Sequence, residues 1–389
     1  MKKEKTMMAL YAGCLAVLCA CTESQELSNK EGIDEPVELQ INPTMTLTGG
    51  GARDASTSNF VDNATIGVFA AGTGSAYGNG NNYAVYKHSG TEANGWSVNG
   101  DKHIYLTSEV ATIYAVSPST GITAPTNAVS ATSTVNIGTF VGEENNIDTD
   151  SKNLITAAQS ATNDINIALG ETDYLYAGGT HPEANNGKGS DPKSTSVDLT
   201  MDHALAMVSF RVYRGANYKG DGHLTKIQMK NATGSSSWRL QQAASGGSAT
   251  MQIGDGTIDL GGNPQNITYT RFIHQTRADE TSDGGAKYCE LKEKATGPSA
   301  TPSVPAFGIL LYPIAASSDK TTDIEIVFTV DATDYTVPLG KETTQVWAKG
   351  TNSIYEAILD GEELSLGNVT ITDWQSTTIN NGLNLIQKP

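Results

Sequence analysis

Short runs in which apolar and polar residues alternate one for one recur along this chain, and a period of two belongs to half-buried β-strands. The cleanest is Ile324-Glu325-Ile326-Val327-Phe328-Thr329-Val330. Val37, Leu39 and Ile41 alternate with Glu38, Gln40 and Asn42, and after Pro43 the pattern resumes with Met45 and Leu47. Val208, Phe210 and Val212 alternate with Ser209 and Arg211. Continuous apolar runs at 66–70, 110–116, 174–177 and 304–312 read as strands buried more fully. Glycine, asparagine, serine and proline clusters separate these runs at intervals of roughly ten residues, the pattern of a β-sandwich. The 40 glycines, with abundant Thr, Ser and Asn, favour strands and turns over long helices. Residues 151–168 show no clean period and fit either a short helix or more strand.

The length sets the number of such units. About 370 residues remain once an N-terminal leader is set aside, which is long for one domain and suits two. The polar stretch 181–196, with Pro182, Gly187, Gly189 and Pro192, reads as the linker between them. The expected organisation is a leader at 1–20, a tether at 21–36, one β-sandwich at 37–190 and a second at 191–389.

The leader has basic residues at Lys2, Lys3 and Lys5, then an apolar, uncharged run at 7–20. That run is short of the ~20 residues that span a bilayer, and it fits a signal peptide. It ends in Leu18-Cys19-Ala20-Cys21, small residues before a cysteine, as a lipoprotein-type peptidase requires. Cys21 is therefore the expected lipidation site and the link to a membrane; two or more acyl chains hold firmly where one does not. The polar, acidic residues after it read as a flexible tether.

The search for chemistry is largely negative. No Gly-x-Ser-x-Gly, His-Glu-x-x-His or Walker loop occurs, and the six histidines stand at no metal-ligand spacing. His203, in Met201-Asp202-His203-Ala204-Leu205, reads as a structural histidine. With Cys14 and Cys19 in the leader and Cys21 carrying lipid, Cys289 is left alone and reads as a strand residue. Glu143, Glu144, Asp148 and Asp150 could attract calcium but lack a fixed loop spacing, so a solvated loop is the better reading. Tyr77, Tyr83 and Trp96 could stack on sugars if exposed, though aromatics in strands usually lie in the core. A net charge of −17 argues against nucleic acid as a partner. No enzyme activity, metal or cofactor is expected. Arg53 stands out as the first arginine of the chain, in the glycine-rich loop Gly49-Gly50-Gly51-Ala52-Arg53-Asp54 after the first alternating strand. Loops of that kind are where proteases cut, although from the residues alone an ordinary surface arginine is the better reading.

Several stretches together carry a resemblance. They are Arg53 with Phe60 and Ile66-Gly67-Val68-Phe69, then Thr112-Ile113-Tyr114-Ala115-Val116-Ser117-Pro118, and Asp173-Tyr174-Leu175-Tyr176-Ala177. They continue with residues 199–210, Gly350-Thr351-Asn352-Ser353-Ile354-Tyr355, and Val369-Thr370-Ile371-Thr372-Asp373-Trp374. In order and spacing the chain resembles the fimbrillin family of Bacteroidales, the type V pilins and their fimbrillin-like relatives. The resemblance implies an all-β fold of two tandem transthyretin-like β-sandwich domains. It implies export as a lipoprotein to the outer membrane and cell surface, cleavage between Arg53 and Asp54 by an arginine-specific protease, and loss of the strand at 37–47. A donor strand from a neighbouring subunit, here around 379–386, then fills the groove and builds a fimbria. Other fimbrial subunits are the implied partners, with host or bacterial surface receptors left open. Two alternatives are an anchor or tip subunit that keeps its lipid and a monomeric lipoprotein that binds glycans.

Overall fold

Among the described residues every regular element is a strand apart from one 3-10 turn at Tyr77–Gly80. The computed structural model describes residues 36–45, 60, 63–89, 95–137, 154–155, 165–166, 172–234, 239–275, 288–295, 304–314, 324–339, 347–361 and 363–373. The unperiodic stretch at 151–168 contributes the short strands Leu154–Ile155 and Ile165–Asn166.

An eight-stranded sheet organises the first half. Its neighbours run Gln40–Met45, Ser196–His203, Leu175–Ala177, Ala111–Ser117, Thr65–Ala71, Tyr83–His88 and Trp96–Val98, with Glu183–Ala184 also paired to Ala111–Ser117. Gln40–Met45 lies parallel to Ser196–His203, and the other pairs are antiparallel. One face of this sheet gathers Ile66, Val68, Ile113, Leu175, Leu199 and Met201 into a core. The other face is buried too. Phe69, Tyr114, Val116 and Tyr176 enter a different cluster. Strands covered on both faces have no polar side to show, which is why residues 66–70, 110–116 and 174–177 read as unbroken apolar runs.

In the second half two five-stranded sheets face each other. One holds Ile165–Asn166, Ala306–Leu311, Ala206–Arg214, Thr351–Asp360 and Glu363–Asp373; the other holds Tyr269–Phe272, His223–Asn231, Ile324–Val330 and Thr333–Pro338, with Cys289–Glu290 on His223–Asn231. Val208, Phe210 and Val212 from the first meet Ile227, Met229, Ile326 and Phe328 from the second. Phe210 and Phe328 pack edge to face at 5.6 Å.

A third cluster ties the halves together. Tyr114, Val116 and Tyr176 of the eight-stranded sheet share it with Met207 and Leu310 of the second half. A three-stranded sheet closes it, in which Thr134–Ile137 pairs with Ala249–Gln252, which in turn pairs with Ile258–Asp259. Gly256, at φ 68°, lies so close to the Tyr176 ring that a Cβ there would collide with it. Ile165–Asn166 also crosses, pairing in parallel with Ala306 and Phe307.

The segment 181–196, which reads from sequence as a linker, is held against the first-half sheet. Glu183 and Ala184 pair with Thr112 and Ala111. Buried Asn185 organises the residues after that pairing. Its Oδ1 accepts from the Gly187 and Lys193 N–H groups, and its Nδ2 donates to the Asp191 carbonyl. The chain leaves the eight-stranded sheet at His203 and enters the facing-sheet half at Ala206.

Candidate functional site: the first strand and its slot

The first strand fills a slot between two partner strands. Val37–Glu38 pairs antiparallel with Tyr105–Leu106, and Gln40–Met45 pairs in parallel with Ser196–Met201. Two backbone bonds mark the change of partner: the Leu39 N–H donates to the Ile104 carbonyl at 3.0 Å, and the Gln40 N–H to the Thr195 carbonyl at 2.9 Å. The period of two does the rest. Leu39 and Ile41 point inward and are 0% and 4% exposed, Pro43 is buried beside them, and Gln40 and Thr44 face solvent. Burying each aliphatic side chain contributes about 1.5–3 kcal/mol.

Polar contacts fix the register. Buried Tyr86 donates its hydroxyl to the Leu39 carbonyl at 2.7 Å. Burial, reinforced by the nearby Glu38 carboxylate, pushes the Tyr86 phenol up, so it stays protonated as a donor. His103 Nδ1 lies 2.7 Å from Glu38 Oε1, and its ring stacks on Tyr105 at 5.6 Å. Asn42 Nδ2 donates to Ser196 Oγ and to Asp198 Oδ1, both at 3.1 Å. None of these partners stands near the strand in sequence, and no local signal points to them.

The other residues singled out from sequence divide by burial and by place in the chain. Cys21, Arg53 and Asp54 lie outside the described residues, as do 379–386 and the acidic set Glu143, Glu144, Asp148 and Asp150. Tyr77, Tyr83 and Trp96 are core residues, so they present no sugar-stacking surface. Their burial removes these three from the glycan-binding alternative. His203 is buried, with Nδ1 2.6 Å from Oδ2 of buried Asp173, a structural pair at the end of the slot's parallel strand. Cys289 is buried in a strand, and loss of solvent pushes its thiol up to about 12, which leaves no nucleophilic thiolate near neutrality. Among the described residues no three His, Cys, Asp or Glu side chains group so as to hold a metal ion. A separate cavity of about 350 Å3, lined by Ile258, Leu260, Tyr312, Ile314, Trp347 and Lys349, is mainly apolar and gathers no reactive set.

Comparison with known proteins gives the family. No curated protein matches the chain. A candidate cell adhesion protein of Bacteroides ovatus superposes with a TM-score of 0.51 at 13% identity, covering 87% of this chain and 98% of that one, a likeness of fold. A candidate cell adhesion protein of Bacteroides uniformis gives 0.48 at 14% identity, covering 87% and 99%. A fimbrial protein of Bacteroides vulgatus gives 0.48 at 12% identity, covering 86% and 99%. The family model described as Fimbrillin-like matches residues 53–374, most of the chain, and the protein belongs to that family.

Proposed function

We propose that this chain is a structural and adhesive subunit of a cell-surface fimbria that polymerises by exchanging its first strand. It travels to the outer membrane as a lipoprotein anchored through Cys21. An arginine-specific protease cuts between Arg53 and Asp54, and the strand at 37–47 departs with the lipid. A strand from a neighbouring subunit, from the region 379–386, takes its place. A subunit that escapes cleavage keeps its lipid and serves as an anchor.

The observation that carries this reading is the slot itself. Among the described residues Gln40–Met45 ends the strand order of the eight-stranded sheet, and inward Leu39 and Ile41 belong to the core. Its loss would bare an apolar trough and the backbone of Ser196–His203 together, and both drive association. An incoming strand meets a ready ladder, with alternate pockets to read its side chains. Head-to-tail contacts of this kind do not close, so they yield a filament. The family match begins at Arg53 and leaves out the first strand, which is consistent with a shared body that starts at the cut.

Within this reading the body comprises two sandwich domains of transthyretin type. In this reading the crossing between them falls at Ala204–Leu205, which is supported by the pairing of Ser196–His203 with the first strand and of Ala206–Arg214 with the facing sheets.

Treating the purified uncut chain with an arginine-specific protease should give a body starting at Asp54 that oligomerises, while an Arg53→Gln chain stays monomeric at the same protease dose. A fully cut body, starting at Asp54, that remains monomeric would overturn strand exchange.

A further inference from the structure

The first strand has an outer rim as well as an inner face. Strand hydrogen bonding alternates sides along a chain, so one observed bond sets the phase of all. Gln40 donates toward Ser196–His203, and the N–H groups of Asn42 and Thr44 share that side. Leu39 donates the opposite way, to Ile104, so Ile41, residue 43 and Met45 aim away from the sheet. Gln40–Met45 ends the strand order of the eight-stranded sheet, and among the described residues nothing pairs with that outer rim. The residue at its centre is Pro43, which has no N–H to offer. Its ring is buried, so Pro43 serves the core while its backbone withholds a donor from the rim. Ser196–His203, directly underneath, contains no proline or glycine.

We propose that Pro43 closes the outer rim of the first strand against pairing with a second copy of this chain, so that the unprocessed protein stays monomeric. An open edge recruits another edge, and a proline at the rim is a known way to prevent it. Two uncut copies meeting rim to rim would find the central donor missing on each side, and the proline Cδ in its place. The strand thus covers an edge that pairs readily with one that does not. The inference concerns the uncut chain and depends on the register alone, so it holds or fails separately from cleavage at Arg53.

The test uses the uncut chain carrying Pro43→Val, with Pro43→Ala as a second version that asks less of the core. Sedimentation over a concentration series reads self-association. Restoring one donor per copy adds two hydrogen bonds to the pair and should raise the association constant about 5- to 150-fold, since each net bond is worth about 0.5–1.5 kcal/mol. Met45→Pro added to either variant returns a proline to the same rim two residues on, and should return the monomer. If the two single variants remain as monomeric as the parent, the proposal is wrong. It is equally wrong if they associate and Met45→Pro does not reverse it, because the cause is then a loosened core.

Discussion

Leu39 does two jobs through two parts of one residue. Its side chain is fully buried among the inward residues of the eight-stranded sheet, and its carbonyl receives the Tyr86 hydroxyl. Truncating the side chain keeps the carbonyl and removes only the packing. Leu39→Ala should destabilise the uncut chain by about 2–5 kcal/mol, the usual range for a buried leucine that leaves a cavity. The same substitution should leave the stability of a body cut after Arg53 and freed of its first segment unchanged, because Leu39 is then gone. Denaturant unfolding of parent and variant, before and after cutting, measures both arms. An equal loss in the two forms would mean that the first strand stays in place after the cut. Pro43, further along the same strand, shows a similar division between ring and backbone, which is why its neighbours in the core say little about its role at the rim.

At the scale of elements, the first strand carries its own sequence code, apolar at 37, 39 and 41 and resuming at 45. A synthetic peptide of residues 36–46, added in excess to the freshly cut body, should occupy the empty slot and block assembly. A peptide with Leu39 and Ile41 changed to Asn should not, since each would bury an amide in an apolar pocket. Light scattering against peptide concentration reads the difference, and equal inhibition by both would locate assembly elsewhere. The alternation that defines this strand is legible in the sequence, as is that of Ile324–Val330. Its partner is not. Ser196–His203 pairs with it in parallel across more than a hundred and fifty residues, and the stretch just before that partner has the composition of a linker. Parallel pairing needs no hairpin turn, so nothing local announces it. The unbroken runs at 110–116 and 304–312 are legible as strands buried more fully, but what covers their second face becomes evident only with the third cluster in view. Likewise Thr134–Ile137 sits in a turn-rich stretch whose partner, Ala249–Gln252, comes from the other half. Cys21 and Arg53 stand apart, since both lie outside the described residues: the first is read from a local motif and the second from the family resemblance.

For the whole molecule, the third cluster determines how the body comes apart. Tyr114, Val116 and Tyr176 on one side and Met207 and Leu310 on the other lose their burial together if the halves separate. Calorimetry of the uncut chain should therefore show one cooperative transition, with calorimetric and van't Hoff enthalpies in agreement. Two resolved transitions would mean that the halves melt independently. A Gly256→Val change, which drives a side chain into the Tyr176 ring, is the substitution most suited to split a single transition into two.

The shared interior also bears on mechanics. Two beads on a string would let a filament bend inside every subunit. Strands that cross between the halves, with aromatic rings wedged among them, leave no such joint. A fimbria assembled in the proposed way would act as a chain of stiff struts, with its compliance confined to the couplings between subunits.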